Sequence, residues 1–186
     1  MTLLRYLSVS QEPEGTIVRL LSHTLRMDLM SELSETIRAI DSPRIVITGE
    51  DGFFAAGADI NELTELDGPR ALEYARSGQS VINSIETHPA ITIAAIDGYC
   101  MGGGLDLSLG CDLRYATPGS VFAHPGGRIG IMTGWGGTRR LPLMIGKSRA
   151  LEMMAVGRRL TAPEALEWGL INGIVDDPVA FALGRK

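Results

Sequence analysis

Cysteine is nearly absent from this chain: Cys100 and Cys111 are the only two in 186 residues. That number excludes a disulfide framework and suits a reducing compartment. Three histidines, His23, His88 and His124, stand at no metal-ligand spacing, so each reads as structural and no metal is expected. Excess positive charge is missing too. The net charge is −5 and the lysines and arginines are dispersed, which leaves no electrostatic footprint for nucleic acid. No apolar run reaches the ~18 residues of a membrane span. The opening segment, MTLLRYLSVSQEPEG, has neither the apolar stretch nor the cleavage pattern of a signal peptide. A cytoplasmic protein with no membrane and no nucleic-acid partner is therefore expected. With 45% hydrophobic and 21% charged residues, intrinsic disorder is excluded and one globular domain over 1–186 is the expectation.

Glycine is what the chain has in excess, 23 of 186 residues, and twelve of them lie between Gly98 and Gly137. Such clustering marks a site rather than a linker. The segments around it alternate between strand and helix patterns. Thr16 to Leu21 reads as a short strand, and Leu25, Leu29, Leu33, Ile37 and Ile40 recur at helical spacing. Arg44 to Thr48 reads as a buried strand, Glu50 to Asp59 as a turn-rich loop, and Pro69 to Ile85 as a second helix stopped by His88-Pro89. Ala90 to Ile96 is the strongest strand, closed by Asp97-Gly98. A short buried helix opens at Leu105, and strands follow at Leu113 to Ala116 and Val121-Phe122. Helices around Arg139 to Ile145 and Ser148 to Val156 precede a last one, which begins with the capping box Thr161-x-x-Glu164, carries Pro163 in its first turn and ends at Gly169. Ile174-Val175 closes the pattern as a strand. The sum is an α/β domain with buried, mostly parallel strands.

Two glycine motifs carry chemistry. Phe54-Ala-Ala-Gly-Ala-Asp-Ile60 follows a buried strand, and its small residues allow a backbone to approach a ligand closely; a tight strand-to-helix loop would look the same. Gly102-Gly103-Gly104 stands between the strongest strand and a buried helix. Unsatisfied N–H groups and the positive end of the helix dipole then face a phosphate or the oxygen of a polarised thioester. Close helix packing would also use these glycines. Asp106 falls in the first turn of that helix among Leu105, Leu107 and Leu109, where a carboxylate is either favoured by the dipole alone or serves as a general base. Asp112 suits a helix end or a salt bridge to an arginine such as Arg114. The pairs Arg139-Arg140 and Arg158-Arg159 read as solvated or subunit-contact charges. Gly146-Lys-Ser148 is not a phosphate-binding P-loop, which needs glycine at Leu141, and Ser108 is not in a nucleophile elbow, which needs glycine at Asp106.

These motifs, taken in order, resemble the crotonase superfamily, the enoyl-CoA hydratase and isomerase family. The resemblance runs from Arg44 to about Val175 through Ile45-Val-Ile-Thr-Gly49, Phe54 to Ile60, Ala95-Ile-Asp-Gly-Tyr99 and Gly102 to Leu107. It continues through Cys111 to Ala116, Ile129-Gly-Ile131, Gly136 to Pro142 and Thr161 to Leu170. It implies the crotonase (ClpP/crotonase-like) fold, a ββα superhelix with surrounding helices, assembled as a homotrimer or a hexamer built as a dimer of trimers. It implies an acyl-CoA thioester as substrate, with coenzyme A part of that substrate and no prosthetic group. By motif, the backbone N–H groups of Ala58 and Gly103 would form an oxyanion hole stabilising a thioester enolate, and Ala58, Asp59, Ile60 and Asn61 would line the coenzyme side.

Departures from the family pattern concern its acids. Hydratases of the family use two glutamates; the first position is Asp106 here, as in an isomerase branch, and the second aligns with Gly126. The third acid of the dienoyl isomerases aligns with Gly134. Asp106 is thus the single candidate carboxylate base. His124, two residues before Gly126 and on the same strand face, either packs near the pocket or adds an acid-base group. The family's Asn-Ala-Leu aligns with His23-Thr-Leu25, and its C-terminal helical segment has no counterpart after Val175, so pocket closure is expected either to depend on a neighbouring subunit or to remain incomplete. Two functions follow as alternatives, an enzyme of thioester enolate chemistry and a catalytically silent acyl-CoA-binding or scaffold protein. A peptidase of the same broad fold would need a Ser-His-Asp spacing that is not there.

Overall fold

The computed structural model describes residues 4–185. In chain order it contains β1 (Leu7–Glu12), β2 (Gly15–Leu20), β3 (Thr24–Leu25), α1 (Met27–Ala39), β4 (Arg44–Thr48), β5 (Phe53–Ala55) and β6 (Gly57–Ala58). Then come α2 (Ile60–Thr64), α3 (Gly68–Glu86), β7 (Ile91–Ile96), β8 (Tyr99–Met101), α4 (Gly103–Leu109), β9 (Leu113–Ala116) and β10 (Val121–Ala123). A 3₁₀ turn (Pro125–Ile129) leads to α5 (Gly137–Ile145), α6 (Lys147–Ala155), β11 (Arg159–Thr161), α7 (Ala162–Glu167), β12 (Gly173–Ile174) and α8 (Pro178–Ala182).

Three sheets result. The largest has the order β1-β2-β4-β7-β9-β12; only the β1–β2 pair is antiparallel and every later neighbour is parallel. Its middle strands are buried on both faces, as a parallel sheet requires, which is why Ile45-Val-Ile and Ile93-Ala-Ala-Ile read as unbroken apolar runs. A second sheet, β11-β10-β8-β5, receives the chain each time it leaves the first: β4 hands over to β5, and β7 to β8. Repetition of strand, strand and helix in this way is the superhelix expected from the sequence. The third sheet is the short parallel pair β3–β6, which fixes Leu25 beside Ala58.

Helices α1 and α3 pack together over the large sheet, with Leu29, Leu33 and Ile37 of α1 and Val81, Ile82 and Ile85 of α3 buried. In α1 these are positions marked by the helical spacing, although Leu25 belongs to β3 and Ile40 caps the helix; in α3 the spacing also marks Leu72, which is exposed. Glu50 to Asp59 corrects the reading as an irregular loop: two short strands, β5 and β6, are threaded through it, too brief for any alternation to register. Strand β1 and helix α8 are further additions. The inner face of α8 places Ala182 and Leu183 against Val46, Ile93 and Ala95. The capping box at Thr161 is present, with the Glu164 side chain accepting from the Thr161 N–H at 2.8 Å.

Candidate active site

At the mouth of the superhelix, β6 and the N-terminus of α4 lie side by side. Gly102 makes the turn into α4 at φ 51° and ψ −120°, a region open to glycine alone, and its N–H donates to the Ala123 carbonyl of β10 at 2.9 Å. That bond ties the glycine turn to the strand leading into His124. Gly103 is the first helical residue, so its N–H has no intrahelical acceptor. A side chain on Gly57 would meet the Gly103 nitrogen at 3.1 Å, so the small residues of both motifs are what permits this approach. The two motifs separated by some forty-five positions thus become one wall of a cleft of about 410 Å³.

The cleft is chiefly apolar. Leu63 and Leu66 follow β6 on one side, Ile131 and Met132 face them on the other, and the stacked rings of Tyr74 and Trp135, with centroids 5.5 Å apart, form a further wall. The indole needs room on two helices, since a side chain at either Gly78 or Gly103 would collide with it. Tyr74 Oη and Trp135 Nε1 are buried without a hydrogen-bond partner among the described residues. Burial pushes the Tyr74 phenol upward, so it remains a neutral hydroxyl.

Asp106 lies at the base of the cleft and is completely buried. One carboxylate oxygen, Oδ1, is 2.8 Å from His124 Nε2, and the other, Oδ2, accepts from the Thr133 hydroxyl. The Thr133 hydroxyl in turn accepts from the backbone N–H of Trp135 at 3.3 Å. Gly137 leaves the space that the carboxylate occupies. Among the described residues no arginine or lysine pairs with Asp106, so a buried carboxylate has an imidazole as its only ionisable partner. Thr133, Trp135 and Tyr74 were not singled out from the sequence; only their adjacency to the second glycine cluster, and the helical phase of Tyr74, could have pointed to them.

The other sequence candidates are dispersed. Ala58 and Ile60 line the cleft, but the Asp59 carboxylate turns to cap α2, accepting from the Asn61 N–H at 2.8 Å and pairing with Arg26 at 2.9 Å. Those interactions, the Asn61 N–H above all, hold its carboxyl below the ordinary range. Asn61 is the second residue of that helix. Gly126 borders the cleft, yet a side chain there would run into the Ile131 carbonyl, because the Ile131 N–H returns to the Gly126 carbonyl at 2.9 Å. Gly134 gives its carbonyl to Gln79 at 2.6 Å.

Two expectations are corrected, the salt-bridge alternative for Asp112 and the solvated reading of Arg140. Asp112 makes no ion pair with Arg114; its carboxylate accepts from the N–H and hydroxyl of Thr92, at 2.8 and 2.9 Å. Arg114 is buried and satisfies carbonyls of Leu170 and Cys111 instead. Arg140 is not solvated, since its guanidinium bridges α5 to Glu86 and Asn83 on α3. Ser108 donates to the Leu105 carbonyl, and His23 stacks on Phe53. Among the described residues no cluster of three or more His, Cys, Asp or Glu could hold a metal ion, and no helix is long and apolar enough to cross a membrane.

Comparison with known proteins identifies the family and the fold. The family described as enoyl-CoA hydratase/isomerase matches residues 19–181. A probable enoyl-CoA hydratase of Bacillus subtilis is 36% identical over 156 residues, covering 81% of this chain and 60% of that protein. The chain thus spans less than two thirds of the length of this relative. Among solved structures, DspI of Pseudomonas aeruginosa superposes with a TM-score of 0.92 at 31% identity, over 98% of this chain and 74% of that one. An enoyl-CoA hydratase of Bacillus anthracis superposes at 0.86 with 31% identity, over 92% and 70%. A glycine turn feeding a buried helix, set beside β6 within a superhelix that these enzymes share, places the chain in the enoyl-CoA hydratase/isomerase family, with the crotonase fold.

Proposed function

We propose that the cleft binds an acyl-CoA thioester with its carbonyl oxygen between the N–H groups of Ala58 and Gly103, and that the polarised thioester loses and regains a proton as an enolate. The observation that carries this reading is the adjacency of β6 and the α4 N-terminus above a buried Asp106. Donors fixed where negative charge develops lower the barrier to enolisation, and loss of one such donor typically costs a factor of about 10²–10³. Coenzyme A enters as part of the substrate, with Ala58 and Ile60 on its side of the cleft, Asp59 and Asn61 behind them in the α2 cap, and the acyl chain against the apolar wall. Asp106 supplies the negative charge on which proton transfer depends.

Gly126 favours one reaction over the other. Hydration needs a second group to position the water, and the backbone around Gly126 leaves no space for one on that residue. Migration of a double bond needs only one group that takes a proton from one carbon and returns it to another. Isomerisation of a 3-enoyl-CoA is therefore favoured over hydration of crotonyl-CoA. The missing side chain also supports a second reading, a catalytically silent acyl-CoA binder. Calorimetric titration with crotonyl-CoA, paired with hydration and 3-enoyl isomerisation assays, separates them: binding with isomerase turnover that Asp106→Asn reduces by about 10²-fold or more is expected. Turnover unaffected by Asp106→Asn defeats the proposed role of the carboxylate, and binding without turnover across a thioester panel favours the silent reading. We extend the proposal to a cytoplasmic homotrimer or dimer of trimers, which sedimentation velocity would reveal.

A further inference from the structure

Asp106 lines the base of the cleft but has no free carboxylate oxygen to offer a substrate. It is completely buried, and both carboxylate oxygens are engaged, Oδ1 by His124 and Oδ2 by Thr133. His124 is differently situated. It follows β10 directly and borders the same cleft; the ring is itself buried, Nε2 is bound to Asp106, and among the described residues no hydrogen bond engages Nδ1. The Gly102 to Ala123 bond fixes the α4 turn to β10, so aspartate and imidazole are held in one rigid unit.

Resting on the acyl-CoA reading above, we infer that His124, not Asp106, is the catalytic residue that exchanges protons with the acyl chain, and that Asp106 is its positioning residue. With Nε2–H donated to the carboxylate, the ring is the tautomer whose lone pair is on Nδ1. Nδ1 takes a proton from the α-carbon, and the C–H electron pair moves into the thioester to give the enolate. The imidazolium then returns that proton to the α-carbon, or to the γ-carbon of a 3-enoyl chain, so no oxidant or co-reactant is needed. Charge is conserved locally: a buried carboxylate beside a neutral ring becomes an ion pair as the enolate forms. Thr133 holds the second carboxylate oxygen and so keeps the aspartate aimed at the ring. A histidine in this place also supplies an acid-base group where Gly126 has none.

The experiment is exchange of the α-protons of butyryl-CoA in D2O, followed by proton NMR, which needs no knowledge of the natural reaction. Affinity for butyryl-CoA is measured in parallel by calorimetry. In His124→Gln the amide can still donate to Asp106, preserving packing while removing the base. The expected result is a loss of exchange of about 10²-fold or more with affinity within about threefold of wild type. His124→Ala should lose as much and regain part of the rate on addition of free imidazole. The positioning role has its own signature, a low-field imidazole N–H resonance present in wild type and absent in Asp106→Asn. Exchange within about threefold of wild type in both His124 variants overturns the inference. Wild-type binding without exchange overturns it as well but spares acyl-CoA binding, whereas absence of wild-type binding removes the underlying reading too.

Discussion

At the scale of single residues, the site depends on side chains that are absent as much as on those present. Gly78 and Gly103 make room for the Trp135 indole, Gly137 for the Asp106 carboxylate, and Gly126 for the return of the Ile131 backbone. Gly126 is therefore required by the path of its own loop. Gly126→Glu should fail to restore hydration and should destabilise the fold by roughly 1–3 kcal/mol, the usual cost of forcing atoms into filled space. Urea denaturation with a crotonyl-CoA hydration assay checks this. Unchanged stability together with newly gained hydration would show that the loop yields and that the missing carboxylate alone limits the chemistry.

Elements bring together what the sequence keeps apart. Strong apolar runs at β4 and β7, the helical spacing of α1 and α3, and the capping box of α7 were all legible, because each is a local pattern. Strands β5 and β6 were not, since two or three residues of Phe, Ala and Gly carry no period and their pairing is settled by β8 and β3. The same limit applied to the site. Asp106 and the Gly102 turn were readable from one motif; His124 was read on a strand face shared with Gly126, but β10 ends at Ala123 and Gly126 lies in the 3₁₀ turn, and the bond of His124 to Asp106 spans eighteen positions and arises only when β10 docks on the glycine turn. Asp59 offers a test at this level. Because its carboxyl is held below its ordinary value by the Asn61 N–H and Arg26, the pairing stabilises the fold above the unfolded value of 3.8 and is lost as pH falls through the lower folded value. Asp59→Asn should therefore flatten the acid side of the melting-temperature profile and shift α2, with Ile60 and Leu63, relative to the cleft. An identical acid profile for variant and wild type would remove this role for Asp59.

Over the whole molecule, the two sheets enclose a core in which both cysteines are buried as free thiols. Burial pushes each thiol up to about 12 from an ordinary 9.0. Native protein at pH 8 should thus resist a thiol reagent that labels both residues after unfolding. In the window between 9.0 and about 12 the folded state retains protons that the unfolded state releases, so stability should fall as pH rises through it. Rapid labelling at pH 8 without loss of structure would contradict that burial. The central claim concerns the cleft where β6 meets α4, and the infrared stretch of a ¹³C-labelled butyryl-CoA thioester carbonyl tests it most directly. If Ala58 and Gly103 hold the oxygen, the band of the bound ligand moves to lower frequency than that of the free thioester; an unshifted band from ligand that calorimetry shows to be bound would contradict the account.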